Sequence, residues 1–194
     1  MGNFVKTYYI FRHGETFVTK GQKLSYGTKV FSADILDECK PALEKLGRYL
    51  KKYPTDLNTS SRFKRCRQTV EIISRTSGKE FTFNSRLNEF FFELPYFFKK
   101  RVRNFLVEIN NQEIESVAIC THGAVINELI RQINPGAFKT LLRKSPDPTP
   151  PLQTEASRKS LQLENKLTFT KYLAPCVLLI LTENSVREIN FNEN

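Results

Sequence analysis

The chain has 194 residues, enough for one well-cored domain and short for two. Apolar residues make up 40% and charged residues 26%, an ordinary globular balance that excludes a fibrous or disordered chain. Lys and Arg number 30 against 20 Asp and Glu, so the net charge of +10 favours anionic partners.

The basic start leads into Tyr8–Phe11, a short apolar run of the kind found in a buried strand. It ends in Arg12-His13-Gly14-Glu15-Thr16, a polar cluster at the strand's C-terminal end, where open α/β sheets bind ligands. Gly21–Phe31 has no periodicity and reads as a surface loop. Apolar residues at 36, 39, 42, 43, 46 and 50 predict a helix over Leu36–Leu50, with Asp37 as its cap and Pro41 in its first turn. Asp56–Ser60 is a weak strand, followed by a helix from about Arg62 to Thr76 that Gly78 stops. Phe81–Phe83 alternates as a short strand would, Arg86–Phe98 is dense in aromatics and resists assignment, and Lys99–Asn110 is expected to be helical. Ser116–Cys120 is another apolar strand, ending in Thr121-His122-Gly123, with a helix over Ala124–Ile133 closed by Asn134-Pro135-Gly136. Ser145–Asn165, with four prolines and few apolar residues, reads as an exposed insertion. Val177–Thr182 and Val186–Phe191 flank Glu183-Asn184-Ser185 as a hairpin closing the sheet.

Strands alternating with helices predict an α/β protein: a three-layer α/β/α sandwich with a mostly parallel central sheet, in a single domain over 1–194. The apolar runs fall well short of the ~18–20 residues a membrane helix needs, and Met1–Lys6 is too short and polar for a signal peptide. A soluble, cytoplasmic protein is expected. Cys39, Cys66, Cys120 and Cys176 lack metal-ligand or disulfide spacing and read as reduced core thiols.

His13 and His122 are the only two histidines. A lone histidine just past a strand is more often structural than functional, but two in matching positions, one beside an arginine, argue for a shared site. The N-terminal cluster resembles the R-H-G-E-T signature of the histidine phosphatase superfamily, the phosphoglycerate mutase-like group. Ser60-Ser61-Arg62-Phe63-Lys64-Arg65-Cys66-Arg67-Gln68-Thr69 is similar to its S-S-x-x-x-R-A-x-Q-T segment, Leu87-Asn88-Glu89 to the segment of its proton donor, and Thr121-His122-Gly123 to its second histidine motif. The resemblance implies His13 as nucleophile, Glu89 as proton donor, His122 as a further catalytic and phosphate-binding group, and Arg12, Arg65 and Thr16 as phosphate ligands.

The chemistry agrees. A neutral imidazole can attack phosphorus if its other nitrogen donates to a fixed acceptor. Guanidinium groups suit a phosphoryl group whose charge spreads over three oxygens. Glu89 lies beside Phe90, Phe91 and Phe92, which would raise its pKa; Glu93 is the alternative donor. Phe90–Phe92 are expected in the core more than in a pocket, and Arg62, Lys64 and Arg67 on a solvated face. With two arginines in the site, no metal and no cofactor are called for.

Thr19 stands near the place of an asparagine common in the family, and Phe90–Phe92 replace its W-E-G-like residues, so substrate identity does not carry over. The stretch between Glu89 and His122 leaves little room for the cover a mutase would need, which favours hydrolysis. The expected activity is that of a metal-independent phosphomonoester hydrolase acting through a phosphohistidine on a small phosphorylated metabolite. A mutase and a weakly catalytic module binding phospho-ligands or nucleic acid are the alternatives, although scattered basic residues and the absence of a nucleic-acid module argue against the last.

Overall fold

The computed structural model describes residues 6–22, 26–138 and 173–192. The chain folds in the order β1 (Thr7–Arg12), α1 (Lys40–Lys51), β2 (Leu57–Ser60), α2 (Lys64–Ser77), β3 (Thr82–Phe83), α3 (Pro95–Asn110), β4 (Ser116–Thr121), α4 (Gly123–Ile133), β5 (Val177–Leu181) and β6 (Val186–Asn190). The expected insertion at Ser145–Asn165 lies outside the described residues.

The six strands form one sheet in the order β3-β2-β4-β1-β5-β6. The first four are mutually parallel, while β5 and β6 run antiparallel as the predicted closing hairpin. Strand periodicity divides the core in two. Tyr8, Ile10, Val117 and Ile119 face one side, where they pack with Val102, Phe105, Leu106 and Ile109 of α3 and Val125, Ile126 and Leu129 of α4. Tyr9, Phe11, Ala118 and Cys120 face the other, against Leu46 and Leu50 of α1 and Cys66, Val70 and Ile73 of α2. Helices thus cover both faces, giving the three layers. Each fully buried leucine or isoleucine in these clusters contributes roughly 2 kcal/mol by leaving water. All four cysteines are free and buried. No helix among the described residues is long and apolar enough to cross a membrane.

The local differences from expectation have local causes. Asp37 does not cap α1: Asp37–Cys39 forms a 3-10 turn, Asp37 pairs with Lys40 at 2.7 Å, and the α-helix begins at Lys40 with Pro41 in its first turn. Pro41 has no N–H to donate back into the turn before it, so the tighter turn ends there. α2 ends where expected, with Gly78 at φ 75°, a left-handed conformation that a side chain would strain. α3 begins at Pro95, four residues before the predicted start, because proline fits the first helical position and the aromatic stretch before it hides the periodicity. Phe90–Phe92 are not a core run: Phe90 packs against the α3–α4 core, while Phe91 is 37% and Phe92 95% exposed.

Candidate active site

Register brings the two histidines together. β1 and β4 are parallel neighbours with Arg12 opposite Thr121, so the next residues, His13 and His122, leave the sheet side by side. The His13 backbone N–H donates to Thr121 O at 3.1 Å, and the two imidazole centroids stand 5.2 Å apart. Both are fully buried. α4 starts immediately after His122 and α2 immediately after Phe63, so two helix N-termini open at this end of the sheet and favour an anion.

Hydrogen bonds fix which nitrogen of His13 can react. Its Nδ1–H donates to Gly14 O at 2.8 Å, leaving the lone pair on Nε2, where Arg65 Nε–H donates at 3.2 Å. The Gly14 N–H donates to Thr69 Oγ1 at 2.8 Å, and the Thr69 hydroxyl donates to Arg65 O at 2.7 Å, tying the His13 loop to the turn of α2 that carries Arg65. Gly14 itself permits the close approach of α1's start: a Cβ there would lie 2.7 Å from Cys39 Sγ.

Arg65 is wholly buried. Its Nη1 donates to Val30 O at 2.6 Å, and its guanidinium lies 4.3 Å from the Tyr26 ring and 5.0 Å from the Phe63 ring. Its Nη2 makes no hydrogen bond and stands 4.0 Å from Glu89 Oε2. A buried guanidinium N–H without an acceptor is costly unless a ligand supplies one. Arg12, half-buried, donates from Nη1 to Leu173 O at 3.1 Å, and its charge acts on His13, His122 and Glu89.

Glu89 Oε2 lies 3.7 Å from His122 Nδ1, while Oε1 accepts the Phe90 N–H at 3.1 Å. Burial raises the Glu89 carboxyl above its ordinary value, against the opposing pull of Arg65 and Arg12. Both imidazoles are pushed well below 6.5, chiefly by burial and then by Arg65, so they are neutral near pH 7. Glu93, the alternative donor, is held elsewhere: both its oxygens accept from Arg101 Nε at 3.0 Å. Thr16 is buried, but its hydroxyl is engaged by Tyr26 OH at 2.9 Å and Thr19 Oγ1 at 3.3 Å. It braces the ring beneath Arg65, and Thr19 closes the same turn by accepting the Thr16 N–H at 2.7 Å.

Sequence reasoning gave no role to Ser61, Asn88, Tyr26 or Phe63. The first two set the protonation of His122. The Arg62 backbone N–H donates to Asn88 Oδ1 at 2.9 Å, so that atom is an acceptor and the Ser61 hydroxyl must donate to it, at 3.0 Å. Ser61 Oγ is then an acceptor, taking the Phe63 N–H at 3.3 Å and the His122 Nε2–H at 2.7 Å. The lone pair of His122 is thereby left on Nδ1, facing Glu89. Asn88→Ala frees the Ser61 hydroxyl to turn on Nε2; we expect the His122 proton to move to Nδ1, visible in imidazole 15N shifts, with a roughly tenfold loss of turnover. Unchanged 15N shifts in the variant would refute the chain of bonds. The signal was available, because both residues sit inside the quoted motifs, but their meaning needs the fold that joins β2 to the segment after β3.

Among the described residues, no group of three or more His, Cys, Asp or Glu side chains could hold a metal ion. The arrangement is one nucleophilic nitrogen, one raised carboxyl, a second imidazole and two guanidinium groups around a buried donor that lacks an acceptor.

The family model described as "Histidine phosphatase superfamily (branch 1)" matches residues 8–96, the stretch that supplies Arg12, His13, Arg65 and Glu89. Over that stretch the chain is similar to the histidine phosphatase superfamily. Its fold is phosphoglycerate mutase-like: it is similar to phosphoglycerate mutase from Bacillus anthracis str. Sterne, with a TM-score of 0.61, 13% identity, and 98% of this chain and 94% of that chain covered. It is also similar to the protein histidine phosphatase SixA complexed with tungstate (TM-score 0.61, 15% identity, 95% and 97% covered). A third is the alpha-ribazole phosphatase from Shigella flexneri (TM-score 0.57, 19% identity, 65% and 78% covered). No curated protein sequence matches the chain.

Proposed function

We propose that the protein is a metal-independent phosphomonoester hydrolase that works through a phosphohistidine on His13, with a small phosphorylated metabolite as substrate. The observation that carries this reading is the buried Arg65 Nη2, without an acceptor, beside the lone pair of His13 Nε2 and the Glu89 carboxyl. A phosphoryl oxygen there would complete the guanidinium's hydrogen bonding and bring phosphorus to the nucleophile.

In the first step the Arg65 Nε–H turns from His13 Nε2 to a phosphoryl oxygen, and the freed Nε2 lone pair forms an N–P bond as the ester P–O bond breaks. The bonding pair leaves with the alkoxide oxygen, which takes its proton from Glu89. Gly14 O holds the opposite Nδ1–H throughout, so the ring keeps the reactive tautomer. Arg12, Arg65 and His122 take up the charge on the phosphoryl oxygens, His122 gaining a proton at Nδ1 once the dianion sits beside it. In the second step water attacks phosphorus, its proton passes to the Glu89 carboxylate, and the N–P electron pair returns to Nε2.

The chain supplies the compensating positive charge from its own side chains. Release of inorganic phosphate from a panel of soluble phosphomonoesters should therefore continue in excess EDTA. Loss of release with EDTA and its restoration by magnesium would overturn the mechanism, and phosphate movement within a substrate without release would favour a mutase.

A further inference from the structure

Aromatic rings lead outward from the phosphate-gripping residues in an unbroken series. The Phe63 ring centroid lies 5.2 Å from that of His122, and the same ring stacks under Arg65. Phe31 meets Phe63 at 5.0 Å, Phe91 meets Phe31 at 5.5 Å, and Phe92 meets Phe91 at 4.4 Å, each nearly edge to face. Phe63 is buried, whereas Phe31 is 56% exposed. The series therefore begins inside the site and ends in water.

Two features show that these rings are held at the site rather than scattered on the surface. The Lys64 backbone N–H donates to Phe31 O at 3.1 Å and Arg65 Nη1 donates to Val30 O, so the loop bearing Phe31 is pinned to the start of α2. Phe91 lies two residues beyond Glu89, on the strand of chain that carries the proton donor. Phe92 holds φ 47°, a left-handed conformation that is unfavourable for a bulky side chain and turns its ring outward.

Resting on the hydrolase reading above, we propose that Phe31 and Phe91 form a leaving-group subsite that selects phosphate esters of aromatic alcohols. The leaving oxygen must sit against Glu89 to be protonated, so the group attached to it projects along the chain that follows Glu89, toward Phe91 and the facing Phe31. A flat ring there covers apolar surface that otherwise stands in water, and edge-to-face rings accept another aromatic readily.

Binding of carbon–phosphorus analogues separates this subsite from turnover. Calorimetry of the intact protein should find 2-naphthylmethylphosphonate bound about tenfold or more tightly than ethylphosphonate. Phe31→Ala and Phe91→Ala, at partly exposed positions, should each reduce that ratio by roughly threefold or more. Equal affinities in the unaltered protein, a ratio unchanged in both variants, or no binding of either phosphonate would overturn the subsite. Absence of phosphate release with the naphthyl preference intact would instead sink the hydrolase reading and leave the subsite standing.

Discussion

Replacing His13 with alanine should lower turnover of 4-nitrophenyl phosphate by roughly 10⁴-fold or more, the scale expected when a covalent nucleophile is removed. The same change should abolish acid-labile phosphate on protein quenched during turnover. The size of the effect follows from the geometry, because no other group stands in for Nε2. The His122 lone pair faces Glu89, and its Nε2–H is committed to Ser61. His122→Ala removes charge stabilisation while leaving the nucleophile, so a smaller loss is expected, on the order of 10²- to 10³-fold, together with weaker inhibition by inorganic phosphate. Unimpaired hydrolysis by the His13→Ala protein would end the phosphohistidine mechanism.

Acidification should destabilise the unliganded fold by about 2 kcal/mol between pH 7 and pH 5.5, read from urea unfolding at each pH. In the unfolded chain both imidazoles take up a proton near pH 6.5, whereas in the fold burial and Arg65 hold them well below it. In the interval between, the unfolded chain binds more protons, so stability is fully present above pH 6.5 and falls as pH drops toward the folded values. Each histidine contributes at most about 1.4 kcal/mol per pH unit. Glu89 acts the other way: its folded value is raised, so the fold protonates it first on acidification and recovers part of the loss. Against the roughly 5–15 kcal/mol of a typical domain, the net loss is large. Saturating inorganic phosphate should shrink it by giving His122 a counter-charge. A flat or rising stability below pH 6.5 would contradict the burial of both rings as neutral groups.

How far the sequence could be read depended on whether a feature was local. The strands at Tyr8–Phe11 and Ser116–Cys120 were legible from apolar runs, and their shared ending in a histidine pointed to a common site. Gly78 marked the end of α2 because left-handed backbone is a property of one residue. The start of α3 was hidden because Phe90, Phe91, Phe92, Tyr96, Phe97 and Phe98 look alike in sequence while only some are buried. Asn88 and Ser61 lay within legible motifs, but the direction of the Asn88–Ser61–His122 chain was not legible: it is set by a backbone N–H, that of Arg62, which no residue type reveals. The same holds for the Gly14 carbonyl that selects the His13 tautomer.

The strand that delivers Arg12 and His13 lies between β4 and β5, and Arg12 donates to Leu173 O. During synthesis β1 leaves the ribosome before both of its hydrogen-bonding neighbours, β4 and β5. Until Val177–Leu181 has emerged, β1 keeps an open, apolar edge able to pair with another nascent chain. Arg12 and His13 are therefore seated only after β4 and β5 have joined the sheet, and nascent chains are most exposed to chaperones and to one another before that moment.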